Sequence, residues 1–346
     1  MLRAYCPTAE GLAGSIVPED GALPADALWI DVLRPSREED ALVERSLGIS
    51  VPTREDMDEI ETSSRLYQED GAIFMTATLA TGIIDGHPQS QAVSFILTPT
   101  RLVTLRYEEV TAFDRFAAHA ERSPQMCGTA PMVLVRLLDA VVDRLADSIE
   151  HIGREIDAIS QQAFRRARDN TTQQRVSNLA LQALLVRIGA AQDALSKSRD
   201  SAVSLTRAMG YLAFAAPKSA DIAAHVKSLS RDLGSLTDHA SYLGSNVTFL
   251  LDASLGLISI EQNAVLKIFS VSAIVFMPPT LVAGIYGMNF DVMPELRWAL
   301  GYPFALVLML LSAVPPANKG SRVYRASSHI PDHRWPCGWK AAAPRR

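Results

Sequence analysis

The feature that most constrains this chain is a pair of adjoining facts near its C-terminal end. No proline interrupts the sequence between Pro217 and Pro278, and from Ile268 to Phe290 no residue is charged. About 60 uninterrupted helical residues would make a rod on the order of 90 Å, longer than a compact globule needs. An uncharged run of 23 residues suffices to cross a hydrocarbon core of about 30 Å. The pattern therefore predicts one helix that starts in water and continues into a membrane. Pro278-Pro279 falls inside the apolar run. Such a pair would stop a helix in water, but within a bilayer neighbouring helices can satisfy the freed carbonyls.

The apolar run ends unusually, in Tyr286-Gly287-Met288-Asn289-Phe290 followed by Asp291 and Glu295. That ending puts oxygen ligands where the helix meets water. A hard divalent cation such as Mg²⁺ prefers oxygen and gives up its water reluctantly. One chain offers too few ligands to strip it, whereas a ring of chains presenting asparagine amides and backbone carbonyls would hold the hydrated ion. Outer carboxylates would concentrate cations there. Read alone, Asn289 is equally an ordinary helix end beside a glycine. Inward along the same helix, Thr280, Met277, Asn263 and Asp252 are spaced 3, 14 and 11 apart, close to multiples of a helical turn. A polar face on a spanning helix marks a water-filled path. The competing reading makes Met277 core filler and Asp252 a solvated charge.

Upstream, the chain is charged throughout and mixes strands with helices. Leu28–Leu33 reads as a strand stopped by Pro35, and Ser36 with Glu39 three residues on forms a capping signature for a helix to about Leu47. Ala72–Ala80, Ala92–Leu97 and Arg101–Tyr107 are β-rich runs divided by turn residues, and Thr111–Glu121 returns to helix. From Pro131 onward apolar residues recur at helical spacing, with a second helix from about Gln173 to near Gly210. A second apolar stretch, Tyr302–Val314, is only marginally long enough to span even when extended back to Trp298. The basic tail beyond it suits a return to the cytoplasm.

The fold expected is an α+β cytoplasmic domain with a mixed sheet, a long stalk helix and a C-terminal two-helix transmembrane hairpin. Its parts are an α/β domain over 1–125, a long-helix region over 126–216, a stalk over 217–265, a first span over 266–290, an external loop over 291–297, a short second span over 298–316 and a basic tail over 317–346. No secretory signal opens the chain, so the N-terminal part is expected in the cytoplasm. Cys6, Cys127 and Cys337 are too scattered for a disulfide framework or a zinc site. The net charge of −5, without a basic aromatic patch, argues against nucleic acid. No phosphate-binding glycine loop or catalytic grouping is present, so no enzymatic activity is expected.

Gly287-Met288-Asn289 after a span, then Met293-Pro294-Glu295-Leu296, resembles the CorA family of magnesium and cobalt channels. Ile260-Glu261-Gln262-Asn263, Lys267-Ile268-Phe269-Ser270-Val271 and Pro278-Pro279-Thr280-Leu281-Val282-Ala283 resemble its bacterial branch. The resemblance implies a homopentamer in the inner membrane, surrounded by lipid, with both termini cytoplasmic and the first span lining a pore for Mg²⁺ and possible Co²⁺ or Ni²⁺. Met288 points away from a zinc-carrying branch. Gly287, Met288 and Asn289 match the selectivity mouth, Glu295 its loop glutamate, and Thr280, Met277, Asn263 and Asp252 its pore-facing positions. The family closes when cytoplasmic Mg²⁺ binds between subunits at acidic residues. Glu55-Asp56 fits one half of that site, though exposed helix charges read as well there. Ungapped spacing puts Ser228 and Asp232 at the other half, while Asp238-His239 imitates the motif at a shifted register. The likeness stops near Val314, and residues 315–346 are expected to stem from a shifted reading frame. A membrane-anchored, non-conducting sensor or scaffold is the alternative function, prompted by the short second span.

Overall fold

The structure is a computed structural model that describes residues 1–59, 61, 65–123, 128–168, 178–215, 219–288, 298 and 300–313. Two compact units divide the chain, Met1–Leu255 and Gly256–Arg346.

The first unit is built on a seven-stranded mixed sheet. Its strands are β1 (Leu2–Pro7), β2 (Leu12–Val17), β3 (Trp29–Leu33), β4 (Leu66–Glu69), β5 (Ala72–Thr81), β6 (Gln89–Leu97) and β7 (Leu102–Arg106), in the order β2-β1-β3-β7-β6-β5-β4. Every pairing is antiparallel except β3 with β7 at the centre, where Asp31 lies opposite Thr104 and Leu33 opposite Arg106. A buried polar network crosses that parallel pair. The Thr104 hydroxyl donates to Asp31 Oδ1 at 2.7 Å and accepts from Trp29 Nε1 at 2.9 Å. Arg106 Nη2 donates to Asp31 Oδ2 at 2.7 Å, and its guanidinium lies 4.8 Å from the Phe113 ring centroid.

The helices sort onto the two faces of the sheet. On one face, α1 (Arg37–Leu47) and α2 (Arg54–Asp58) cover Ile30, Phe74, Ile96 and Val103 with Leu42, Val43 and Met57. On the other lie α3 (Thr111–Ala120), α4 (Ala130–Arg168), α5 (Asn178–Ala215) and the first part of α6 (Ala220–Tyr286). Their buried leucines, isoleucines and alanines join Trp29, Met75 and Phe95 in the larger core.

Local chemistry explains the helix starts. Ser36 Oγ accepts from Glu39 N while the Glu39 carboxylate accepts from Ser36 N, the reciprocal cap that the sequence predicts. Gly48 then closes α1 at φ 68°, a backbone conformation that favours glycine. Thr53 and Asp56 repeat the device on α2. One boundary and three strands differ from expectation. α5 runs through Gly210 to Ala215, because a glycine inside a helix weakens it without ending it. β1, β2 and β4 escape the sequence patterns; β2 buries only its two end residues, so no alternation marks it.

The second unit holds the remainder of α6, which continues as helix through Pro278 and Pro279. It also holds the short helix α7 (Gly301–Ala313). α6 is long and apolar enough to cross a membrane by length and composition. The 13 described residues of α7 rise about 20 Å, against a hydrocarbon core of about 30 Å.

Candidate ion pathway and regulatory carboxylates

α6 carries most of the residues that the sequence singles out. In the first unit, Asp252 is exposed. In the second unit Asn263, Met277 and Thr280 are exposed, Met277 at 73%. The Thr280 hydroxyl donates to Phe276 O at 2.7 Å on an exposed part of the helix. This back-bond occupies the hydroxyl proton and leaves an oxygen suited to water or to a hydrated cation. The helix closes at Gly287, whose N–H donates to Ala283 O at 2.9 Å, and Met288 N donates to Ile285 O at 3.3 Å. A Cβ at position 287 would stand 3.1 Å from the Ala283 carbonyl oxygen, a tight contact that a shift of a few tenths of an ångström would relieve. Asn289, Asp291 and Glu295 lie outside the described residues.

The carboxylates that the sequence singles out as candidate regulatory ligands fall in two places. Glu55 and Asp56 are exposed on α2, on one side of the sheet, and Asp232 is exposed on α6, which packs on the other. Within one chain they have no common space, so an ion bridging them needs a second copy. The two α2 carboxylates are also unequal. Asp56 Oδ2 accepts from Thr53 N at 2.8 Å and from Thr53 Oγ1 at 2.7 Å. The Thr53 hydroxyl, then the Thr53 amide, hold the Asp56 carboxyl below its ordinary value. Asp56 is thus partly spent on capping, while Glu55 is the freer ligand.

The sequence reading missed what faces Asp232. Asp139, Asp143 and Asp147 follow one another at i, i+4 and i+8 on α4, a spacing that places them on one face. Asp143 is exposed as a residue, yet partial withdrawal of its carboxylate from water raises its pKa, helped by Asp139, Asp147 and Asp232 in that order. Among the described residues, no three such side chains converge closely enough to chelate a metal. The spacing of the three aspartates was visible in the sequence; their meeting with α6 was not.

This cluster makes a pH-dependent prediction. A folded-state pKa above the ordinary 3.8 means that the native protein holds its proton more tightly than the unfolded chain. Stability therefore falls as pH rises from about 3.8 through the raised value. Asp143→Asn removes that loss. Its thermal midpoint should exceed that of the unsubstituted protein at neutral pH and converge with it in acid, and millimolar Mg²⁺ should narrow the neutral gap by screening the cluster. Parallel midpoints at all pH values would show that these carboxylates do not interact.

With the residues placed, comparison with known proteins decides the family. A family model described as CorA-like Mg²⁺ transporter protein matches residues 24–317. The chain belongs to the CorA family. The match ends close to Val314, where the sequence resemblance also stops. The magnesium transport protein CorA of Yersinia pseudotuberculosis is 34% identical over 292 residues, 84% of this chain and 90% of that protein. The CorA of Escherichia coli K12 is 33% identical over 291 residues, 84% of this chain and 89% of that protein. Among solved structures, the CorA magnesium transporter of Methanocaldococcus jannaschii superposes with a TM-score of 0.71 at 17% identity, over 94% of this chain and 98% of that one. It shares the fold of a soluble mixed α/β part, long helices and a C-terminal apolar region. CorA proteins are transporters rather than enzymes.

Proposed function

We propose that this chain is a passive Mg²⁺ channel of the inner membrane, assembled as a homopentamer with both termini in the cytoplasm and its pore lined by α6. One observation carries the reading: α6 presents Asp252, Asn263, Met277 and Thr280 to its surroundings rather than to the core, on a helix apolar enough to span. The curated relatives named above are magnesium transport proteins, which supports the ion assignment. No engine is needed. An inside-negative potential favours entry of a divalent cation by about 4.6 kcal/mol per 100 mV. Gly287, Met288 and Asn289 form the outer mouth, Glu295 gathers cations beside it, and Co²⁺ or Ni²⁺ pass as size-matched competitors. The test is Mg²⁺-limited growth and influx in a host lacking its own transporters. Influx at the level of an empty vector, with the protein in the membrane, would remove this reading.

That null result would favour a second reading, a non-conducting membrane-anchored sensor. The sequence motivates it: Tyr302–Val314 is only 13 residues before Pro315-Pro316, at the short end of what crosses the hydrocarbon as a helix.

Gating follows from the carboxylates. Mg²⁺ bridging Glu55 and Asp56 of one copy to Asp232 of another would hold the ring closed at high internal Mg²⁺. Glu55→Gln should relieve inhibition of influx more than Asp56→Asn, because an asparagine at 56 still caps α2 and because Asp56 begins with fewer free lone pairs. Equal, undiminished inhibition in both variants and in their combination would exclude the site.

A further inference from the structure

A pocket of about 190 Å³ opens in the first unit between α2, the start of β6 and the residues that follow β7. It is small beside the roughly 300–1,000 Å³ of sites that hold drug-sized ligands. Of its lining residues only Met57 and Ala92 are apolar, so an apolar ligand would find little cover there.

Unequal strand lengths make the opening. β6 pairs with β5 along its whole length, from Gln89 opposite Thr81 to Leu97 opposite Ile73. β7 reaches only to Arg106 opposite Val93. The backbone of Gln89–Ala92 therefore has a free edge on the β7 side, and no backbone bond closes it among the described residues. Alternate residues of an antiparallel strand address the same neighbour, so the edge leaves N–H and C=O groups open to a ligand. The free edge of β5 beyond Met75 is treated differently. There α5 supplies a partner, with Ser204 Oγ accepting from Thr78 N at 2.9 Å.

Two opposite charges stand over the open edge of β6. Arg54 and Asp58 are one turn apart on α2, and both are exposed. Opposite charges at that spacing can pair. Among the described residues, neither forms an ion pair. The Arg54 guanidinium lies instead 5.3 Å from the centroid of the Tyr107 ring. Stacking steadies the side chain without spending its N–H donors. Glu108, the third charge in the lining, is already bonded to Arg34 Nη2 at 2.6 Å.

We propose that this pocket binds a free α-amino acid with a polar side chain. Its carboxylate meets the fork of Arg54, its ammonium meets Asp58, and its side chain lies along the edge of β6 beside Gln89 and Ser90. A planar guanidinium matches a carboxylate with two parallel bonds. A zwitterion satisfies both charges at once, whereas a simple anion meets Asp58 and a simple cation meets Arg54. Because Tyr107 already holds Arg54, less side-chain freedom is lost on binding. The site shares α2 with Glu55 and Asp56, yet it is independent of them and of transport.

Equilibrium dialysis of the full-length protein in mild detergent with labelled L-glutamine tests the proposal. Saturable binding of one molecule per chain is expected. Arg54→Ala should weaken it about 10- to 100-fold, as loss of a hydrogen bond between charged groups does. L-leucine should bind more weakly than L-glutamine. Glutaramate, which is glutamine without its ammonium, should bind weakly to the unsubstituted protein and gain from Asp58→Asn, while L-glutamine loses by the same change. Both substituted residues are exposed and neither makes the Thr53–Asp56 cap, so the thermal midpoint should stay unchanged. Were Arg54→Ala to lower that midpoint, the comparison of L-glutamine with glutaramate on the unsubstituted protein decides alone. Absence of saturable binding at millimolar L-glutamine would overturn the site, as would equal binding of L-glutamine and glutaramate. Binding of inorganic phosphate that depends on Arg54, with none of L-glutamine, would overturn the amino-acid assignment in favour of a plain anion. Equal affinity for L-leucine would overturn the polar side chain.

Discussion

Asp31→Ala will destabilise the first unit by about 3–5 kcal/mol, the usual result of leaving one partner of a buried ion pair uncompensated. Asp31 and Arg106 are 2% and 3% exposed. Asp31 Oδ1 accepts from Arg106 Nε at 3.2 Å and from the Thr104 hydroxyl at 2.7 Å, and Oδ2 accepts from Arg106 Nη2 at 2.7 Å. Alanine removes both acceptor oxygens, and with them all three hydrogen bonds, at once. The guanidinium keeps the Phe113 face and a long bond to Glu108 O at 3.4 Å, which do not offset its lost hydration. Trp29 Nε1 still has Thr104, but Thr104 has lost its own acceptor. Because the residues sit on the central parallel pair, the loss should spread to both sides of the sheet. Hydrogen exchange in peptides covering β3 and β7 should accelerate on the order of 10²–10³-fold. Asp31→Leu combined with Arg106→Met should recover most of the loss, since well-packed apolar pairs often replace buried ion pairs without penalty. Unchanged exchange in Asp31→Ala would mean that the pair contributes nothing to the sheet.

The same pair shows which parts of the architecture were legible beforehand. Ser36 and Glu39 are three residues apart, so the cap of α1 is written in one short stretch of sequence. β5, β6 and β7 are apolar runs between turn residues, and they appear where those runs stand. β1 and β2 pair with each other and β1 with β3, yet β2 has four exposed residues in a row between its buried ends, so no periodic pattern marks it. Asp31 and Arg106 each read as isolated charges inside strands. Only the β3–β7 pairing, across about 75 residues, makes them a unit.

The candidate site divides in the same way. Thr280, Met277, Asn263 and Asp252 belong to one helix, so their spacing alone placed them. Asp232 was placed by spacing too, but its carboxylate neighbours on α4 lie some 90 residues away and are brought near by tertiary packing. The inequality of Glu55 and Asp56 was equally hidden. A capping box at Thr53 becomes visible only once α2 is known to begin there.

Asn289→Ala will reduce initial Mg²⁺ influx by about 10- to 100-fold, the cost of losing a hydrogen bond to a charged species of about 1.5–3 kcal/mol. The argument follows from the ion. Mg²⁺ holds its water too tightly to be stripped by a few neutral oxygens. A mouth of amide oxygens therefore acts on the hydration shell, accepting from bound water and fixing where the ion waits. In the proposed channel alanine at 289 would remove that acceptor, so affinity and discrimination should decline together. Glu295→Gln works by a different route. In the proposed channel its charge would act by raising the local cation concentration, an effect that salt screens beyond about 8 Å at physiological ionic strength. Influx in Glu295→Gln should fall only a few-fold in low salt and approach that of the unsubstituted protein as ionic strength rises, whereas the Asn289→Ala defect should persist at every salt concentration. Initial-rate measurements with matched amounts of protein in the membrane separate the two. Equal influx in Asn289→Ala and the unsubstituted protein would remove the asparagine from selectivity, and a salt-dependent Asn289 defect would recast it as part of the electrostatic funnel.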